Sequence, residues 1–125
     1  MLTLPVNKIG LHYTVNITFD DRDLAKRAND FRTLIRQYGE PRAKLIRRRL
    51  GELAAAVVLE DMRNLPAARC HELSGNRKGQ LAVNLDHPYR LIFQPVAPPP
   101  LKADGGLDWN LVTSISILEI TNYHD

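Results

Sequence analysis

The sequence predicts an α+β fold: an N-terminal strand, then an antiparallel helical hairpin laid on a mainly antiparallel sheet of four to five strands. Three observations carry this. Residues 15–19 alternate apolar and polar side chains, the period of a half-buried strand. Between Leu24 and Val57 apolar residues recur at spacings of three and four, the period of helices with one buried face. Beyond residue 67 the period returns to two, so the order reads β–α–α–β–β–β–β.

Taken in order, Val15-Asn16-Ile17-Thr18-Phe19 is rich in β-branched residues, and Asp20-Asp21 follows with side chains suited to opening a helix. Leu24, Ala28, Phe31, Ile35 and Tyr38 form one stripe, which predicts a single helix. Gly39-Glu40-Pro41 interrupts it, glycine suiting a helix end and proline a helix start. Ala43, Ile46, Leu50, Leu53 and Val57 then repeat the stripe. So short a link predicts that the two helices fold back on each other. A second break falls at Asn64-Leu65-Pro66.

Strands are expected over 67–73 and 80–86, around the turn Gly75-Asn76-Arg77-Lys78-Gly79. Leu81, Val83 and Leu85 share one face of the second strand. Asp86-His87-Pro88 makes another turn, and Leu91, Phe93 and Pro95 continue the alternation. Residues 95–108 are too rich in proline and glycine for regular structure and read as a surface excursion. In the last strand, about Leu111 to Thr121, Ile115 and Ile117 point one way and Leu118 and Ile120 the other. That predicts a strand buried on both faces.

Composition narrows the function. The chain has 125 residues, 44% of them hydrophobic and 25% charged, as in one soluble globular domain spanning 1–125. No apolar run approaches the roughly 18 residues of a membrane span. No secretory leader is recognisable, and with one cysteine, Cys70, the expected address is cytoplasmic. A single cysteine also excludes a disulfide framework and zinc sites built on several cysteines. The net charge of +3 conceals an asymmetry: residues 22–49 hold ten Lys/Arg against three acids, and residues 63–90 hold five against two. Twelve of the seventeen basic residues are arginines, whose planar guanidinium suits phosphate or carboxylate partners. Within Arg47-Arg48-Arg49, three successive helix positions span about 200°. One arginine is therefore expected beside the core stripe with its stem buried, the others on a solvated, phosphate-tracking or protein-binding face.

No P-loop, dinucleotide fingerprint, HExxH or GxSxG is present. Cys70 and His71 are neighbours on an expected strand and point to opposite faces, which argues against a thiolate–imidazole couple. Cys70 reads as a small buried residue, and Trp109 as a packing anchor. His71, Arg90, Tyr123 and His124 lie at or near strand ends, where the sheet could gather them. Such a set matches the needs of RNA cleavage by internal transesterification. A base takes the 2′-OH proton, a cation steadies the phosphate, and an acid protonates the leaving 5′-oxygen. The alternative is structural: a turn-capping histidine, an arginine paired with a carboxylate, and a frayed end.

The stretch LPAARCHELSGNRKGQLAVNLDHPYRLIFQP (residues 65–95), with the ending ILEITNYHD, resembles the plasmid-maintenance killer proteins. These are HigB-like toxins of the RelE/ParE superfamily. The similarity extends to RRRLGELAAAVVLEDMRNLP and GGLDWN, and it rests on the combination of RCHEL, G-x-RKG, HPYRLIF and a terminal Tyr-His. The resemblance implies a RelE-like fold and the toxin half of a type II toxin–antitoxin pair, cleaving mRNA on the ribosome. It implies no metal and no cofactor. The partners it implies are a cognate helix-turn-helix antitoxin, the ribosome and mRNA. DNA would be met only through the antitoxin complex, and no membrane is involved. By the same resemblance His71 is the catalytic histidine, Arg90 faces the phosphate, and Tyr123 and His124 are the terminal catalytic pair. Arg69, Arg77, Lys78 and Asn122 are the candidate RNA contacts. Two positions depart from the pattern: Asn122 stands where the family has an acid, and Ser74 where a basic residue is common. An amide orients a neighbour by hydrogen bonding but is no base. A weakened toxin is therefore one alternative. A ParE-like gyrase poison and a non-catalytic module binding antitoxin or RNA are the others.

Overall fold

The computed structural model describes residues 14–122. A five-stranded sheet has the order β1-β5-β4-β3-β2. Its strands are β1 (Asn16–Phe19), β2 (His71–Glu72), β3 (Leu81–Asn84), β4 (Tyr89–Pro95) and β5 (Ser114–Asn122). Among the described residues the β1–β5 pair is parallel and the β2–β3, β3–β4 and β4–β5 pairs are antiparallel. The expected α+β class is the one observed. No helix among the described residues is long and apolar enough to cross a membrane.

The stripe from Leu24 to Tyr38 forms two helices, α1 (Arg22–Ala28) and α2 (Phe31–Tyr38), where the sequence suggested one. Asn29-Asp30 causes the break. Asn29 Nδ2 donates back to the Ala25 carbonyl at 2.7 Å, and the Asp30 carboxylate accepts from the amides of Arg32 and Thr33. Short polar side chains that bond their own backbone compete with helix continuation in this way. At Gly39, φ is +84°, a conformation that glycine adopts at little cost, and α3 (Glu40–Ala55) follows directly. α2 and α3 pack on each other. Val57, expected on the stripe, lies beyond the helix and is exposed.

The helical layer covers one face of the sheet. Ile17 and Phe19, Leu81 and Val83, Leu91 and Phe93, and Ile115 and Ile117 meet Leu24, Leu34, Ile46, Leu50 and Leu53 there. Each such side chain, fully withdrawn from water, contributes about 1.5–3 kcal/mol. The opposite face holds a smaller cluster of Leu73, Ala82 and Ile92 with Leu118 packed against it.

Two strands differ from the expectation. β2 shrinks from 67–73 to two residues, because Pro66–Ala68 turns as a 3-10 helix and Arg69 takes a left-handed conformation. In β5 the register slips between Ile92 and Phe93: Phe93 faces Ile117, while Ile92 faces Glu119. This bulge inserts Leu118 and resets the alternation. Leu118 joins the open-face cluster, whereas Ile120 returns to the helix-covered core. The two therefore do not share a face.

Candidate active site

Register fixes which side chains share the open face. His71 pairs with Ala82, Ala82 with Ile92, and Ile92 with Glu119. The neighbouring row is Asn84, Arg90 and Thr121. Since side chains two residues apart share a face, His71 and Arg90 stand on the same side, away from the helices. They are two strands apart, about 10 Å, and one row apart, about 7 Å along the strands. Cys70 alternates to the other side and packs against the main core. Burial pushes its thiol up to about 12, so it is protonated and unreactive near neutrality. The Cys–His couple is absent for both reasons.

His71 is half-buried, with Nδ1 2.7 Å from the Arg69 carbonyl oxygen. Arg69 itself has φ +43° and ψ +55° at the end of the 66–68 turn. A left-handed conformation costs a residue other than glycine about 1–2 kcal/mol, and such outliers gather at functional sites.

Arg90 is only 5% exposed. Its Nη1 donates to the Tyr89 carbonyl at 3.2 Å, while its Nε is buried without a hydrogen-bond partner among the described residues. Asn84 Oδ1, on the residue paired with Arg90 in the register, is likewise buried and unpartnered among them. No carboxylate of the described residues pairs with this guanidinium. A buried cation left so is expensive to fold around and forms a ready receptor for an anion on the open face.

Sequence reasoning missed the brace behind these residues. Arg49, the buried member of the arginine run, donates from Nε to the Asn84 carbonyl (2.7 Å) and from Nη2 to the Ala67 carbonyl (3.1 Å). Its Nη1 meets Glu52 at 3.0 Å. One side chain of α3 thus ties the end of β3, opposite Arg90, to the turn that leads into His71. Arg47 and Arg48 are exposed. The first lies over the Phe31 ring and the second pairs with Glu52. On the far side, buried Trp109 donates from Nε1 to Glu72 at 3.0 Å, with the Arg63 guanidinium over its ring. As expected, this tryptophan is an anchor, and it pins the excursion beside His71.

The remaining candidates are placed unevenly. The Arg77 guanidinium contacts Gln80 at 2.9 Å and Glu119 at 3.3 Å, on the His71 face. Lys78 lines a cleft of about 880 Å³ on that face, bounded by the sheet and the excursion, with Thr18, Gln94 and Ser116 on its floor. Glu72, Leu73 and Ser74 line its near edge; neither His71 nor Arg90 lines it. The Arg69 side chain is exposed. Asn122 pairs with Tyr89, whose ring packs on the helix side, so the register does not bring Asn122 onto the His71 face. Tyr123 and His124 lie outside the described residues. No three His, Cys, Asp or Glu side chains among the described residues converge as a metal site would require. Protein-family models, curated proteins and solved structures contain no match to this chain.

Proposed function

We propose that this chain is the toxin of a type II toxin–antitoxin pair, a HigB-like endoribonuclease that cleaves ribosome-bound mRNA. One observation carries the reading: a half-buried histidine shares an open sheet face with a buried arginine that no carboxylate among the described residues neutralises. The resemblance of residues 65–95 and of the ending to killer proteins supports it.

In this reading His71 removes the proton from the ribose 2′-OH. The freed oxygen attacks the adjacent phosphorus, and the bond to the 5′-oxygen breaks. Arg90 holds the phosphate oxygens as their negative charge grows. Tyr123 and His124 are the proposed donors to the leaving 5′-oxygen. The products are a 2′,3′-cyclic phosphate and a 5′-hydroxyl end. Arg77 and Lys78 flank the strand, with Arg69 and Asn122 as outlying contacts. A helix-turn-helix antitoxin silences the enzyme in the cytoplasm and carries any contact with DNA.

Induced expression should arrest growth and generate codon-phased mRNA ends. His71→Ala should lower cleavage by about a hundredfold or more without lowering the melting temperature. Mapping RNA ends after induction decides the matter. Arrest with intact mRNA and a DNA-damage response would favour a gyrase poison. Antitoxin or RNA binding without cleavage would favour the non-catalytic module, an outcome to which Asn122 lends weight.

A further inference from the structure

Building on the ribonuclease reading, we propose that the cleft between the sheet and the 95–108 excursion is a nucleobase subsite. It takes an unpaired base of the RNA a short step along the strand from the phosphate held by Arg90, and Gln94 reads that base at its edge.

The lining of the cleft selects this ligand. Its floor is polar and uncharged, made of the amides of Asn16 and Gln94 and the hydroxyls of Thr18, Ser114 and Ser116. An amide presents a donor and an acceptor side by side, the pattern that base edges also carry. Its walls are apolar: Val96, Pro99, Leu101 and Leu107 come from the excursion, and Leu73 stands before the glycine turn. Val96 and Leu101 are exposed there despite being apolar. Apolar walls around a few hydrogen-bonding groups fit a planar heterocycle, held by its faces and read at its edge. Among the described residues the ionisable side chains lining the cleft are Glu72 and Lys78, both exposed, and Glu72 accepts from Trp109. A site for phosphate itself would carry charged donors inside, as Arg90 supplies elsewhere on the same face.

Position ties the cleft to the reaction. Arg90, Ile92 and Gln94 are alternate residues of β4 and share the open face. Gln94 is thus about 13 Å from Arg90 along the strand. Ile92 lies between them, with Leu73, Ala82 and Leu118 as its apolar neighbours. An extended strand crossing this saddle leaves a phosphate at Arg90 and a base in the cleft, the splayed arrangement in which unpaired RNA is read. The wall is shaped before a ligand arrives. The Lys102 amide donates to the Gly106 carbonyl at 2.7 Å, the Asp108 amide to Pro100 at 2.9 Å, and the Val96 amide to Ser114 at 3.0 Å. Leu101 also bridges Leu107. Less ordering is then left for binding to supply.

An uncleavable probe separates binding from reaction. Short 2′-O-methyl oligoribonucleotides cannot be cut, because the attacking oxygen is blocked, and an abasic oligomer of equal length keeps the sugars and phosphates alone. Backbone amide shifts of the wild-type protein are mapped with each. Base-bearing probes should shift Gln94, Ser114 and Ser116, and the abasic oligomer should leave them in place. Equal shifts with the abasic oligomer overturn the proposal by making the cleft a phosphate site. Shifts confined to Arg90 and its neighbours overturn it by leaving the cleft unused. Neither arm depends on a variant that must fold. Gln94→Met keeps the side-chain length and removes the amide, and should weaken the base-bearing probes about tenfold. RNA ends mapped after induction should show a base preference at one fixed distance from the cut, flattened in Gln94→Met. A preference that survives this change overturns the role of Gln94. Base-dependent shifts at the cleft of a protein that cuts no RNA remove the ribonuclease reading and leave the subsite standing. Cleavage without such shifts removes the subsite and leaves the ribonuclease.

Discussion

Arg49 and Arg90 are equally buried, at 5% exposure each, and they approach the same stretch of β3 from opposite faces of the sheet. Arg49 spends its donors on two backbone carbonyls and the carboxylate of Glu52. Among the described residues Arg90 has one backbone contact and an Nε without a hydrogen-bond partner. Burial therefore says little about what an arginine does. The partners say more: Arg49 joins elements that would otherwise part, whereas Arg90 keeps donors in reserve on a face without helices. The helix-covered face holds the fold, and the open face carries the candidate chemistry.

The sharpest way to break this contrast is the same substitution on both sides. Arg49→Met leaves two buried carbonyls without their donor and Glu52 with Arg48 alone, and breaking a buried pair costs about 3–5 kcal/mol, to be read by urea denaturation. Arg90→Met removes a buried charge that no carboxylate of the described residues pairs with, so stability should stay within about 1 kcal/mol. RNA cleavage should fall about a hundredfold. Equal destabilisation by the two changes would erase the distinction.

A smaller effect tests the turn between β3 and β4. Arg42 forms a two-pronged bridge to Asp86, at 2.9 and 3.1 Å from Nε and 2.9 Å from Nη2, and stacks on Tyr89. The hydrogen bond from Arg42 is the main cause holding the Asp86 carboxyl below its usual range. A lowered folded value means that the bridge stabilises above the ordinary carboxylate value and fails as pH drops through the folded one, below about 4. Solvent reaches the Asp86 side chain, 37% exposed, so the contribution is about 0.5–1 kcal/mol. Asp86→Asn should flatten that acid limb in a pH series of melting curves and leave the alkaline limb unchanged.

The smallest effect lies at Cys70. With its thiol raised to about 12 by burial, labelling by a thiol reagent at about pH 8 should be slow until the protein unfolds. Its contribution to stability is complete below the unfolded thiol value, about 8.5, and is lost as pH rises toward the folded one. Cys70→Ala should leave RNA cleavage unchanged. Fast labelling of the folded protein would place the thiol at the surface.

Much of the frame was legible because periodicity survives translation into structure. The switch from 3.6 to 2 marked helices and strands, Gly39 marked the junction of α2 and α3, and Gly75 and Gly79, both with positive φ, marked the turn before β3. What escaped depended on competition between neighbours. Asn29 and Asp30 look tolerable inside an apolar stripe, yet their side chains win the backbone bonds. Leu118 and Ile120 have matching parity, and one inserted residue separates them. The sequence placed one arginine of the 47–49 run beside the core, and Arg49 is that one, but its partners were not legible. Two of its three partners are main-chain oxygens, which every residue possesses and no pattern reveals.

The linear order of side chains was enough to establish the element types, the helix-side stripe, the basic blocks and the residue types on which a ribonuclease reading rests. Those properties arise from local propensity and from the spacing of apolar groups. Strand order, register and backbone torsion belong to the folded chain, because each depends on contacts between residues far apart in sequence. β1 enters the sheet parallel to β5, about a hundred residues away. A slip of one residue would have turned His71 into the core. Only the packed turn at 66–68 holds Arg69 in the conformation that aims its carbonyl at the His71 ring.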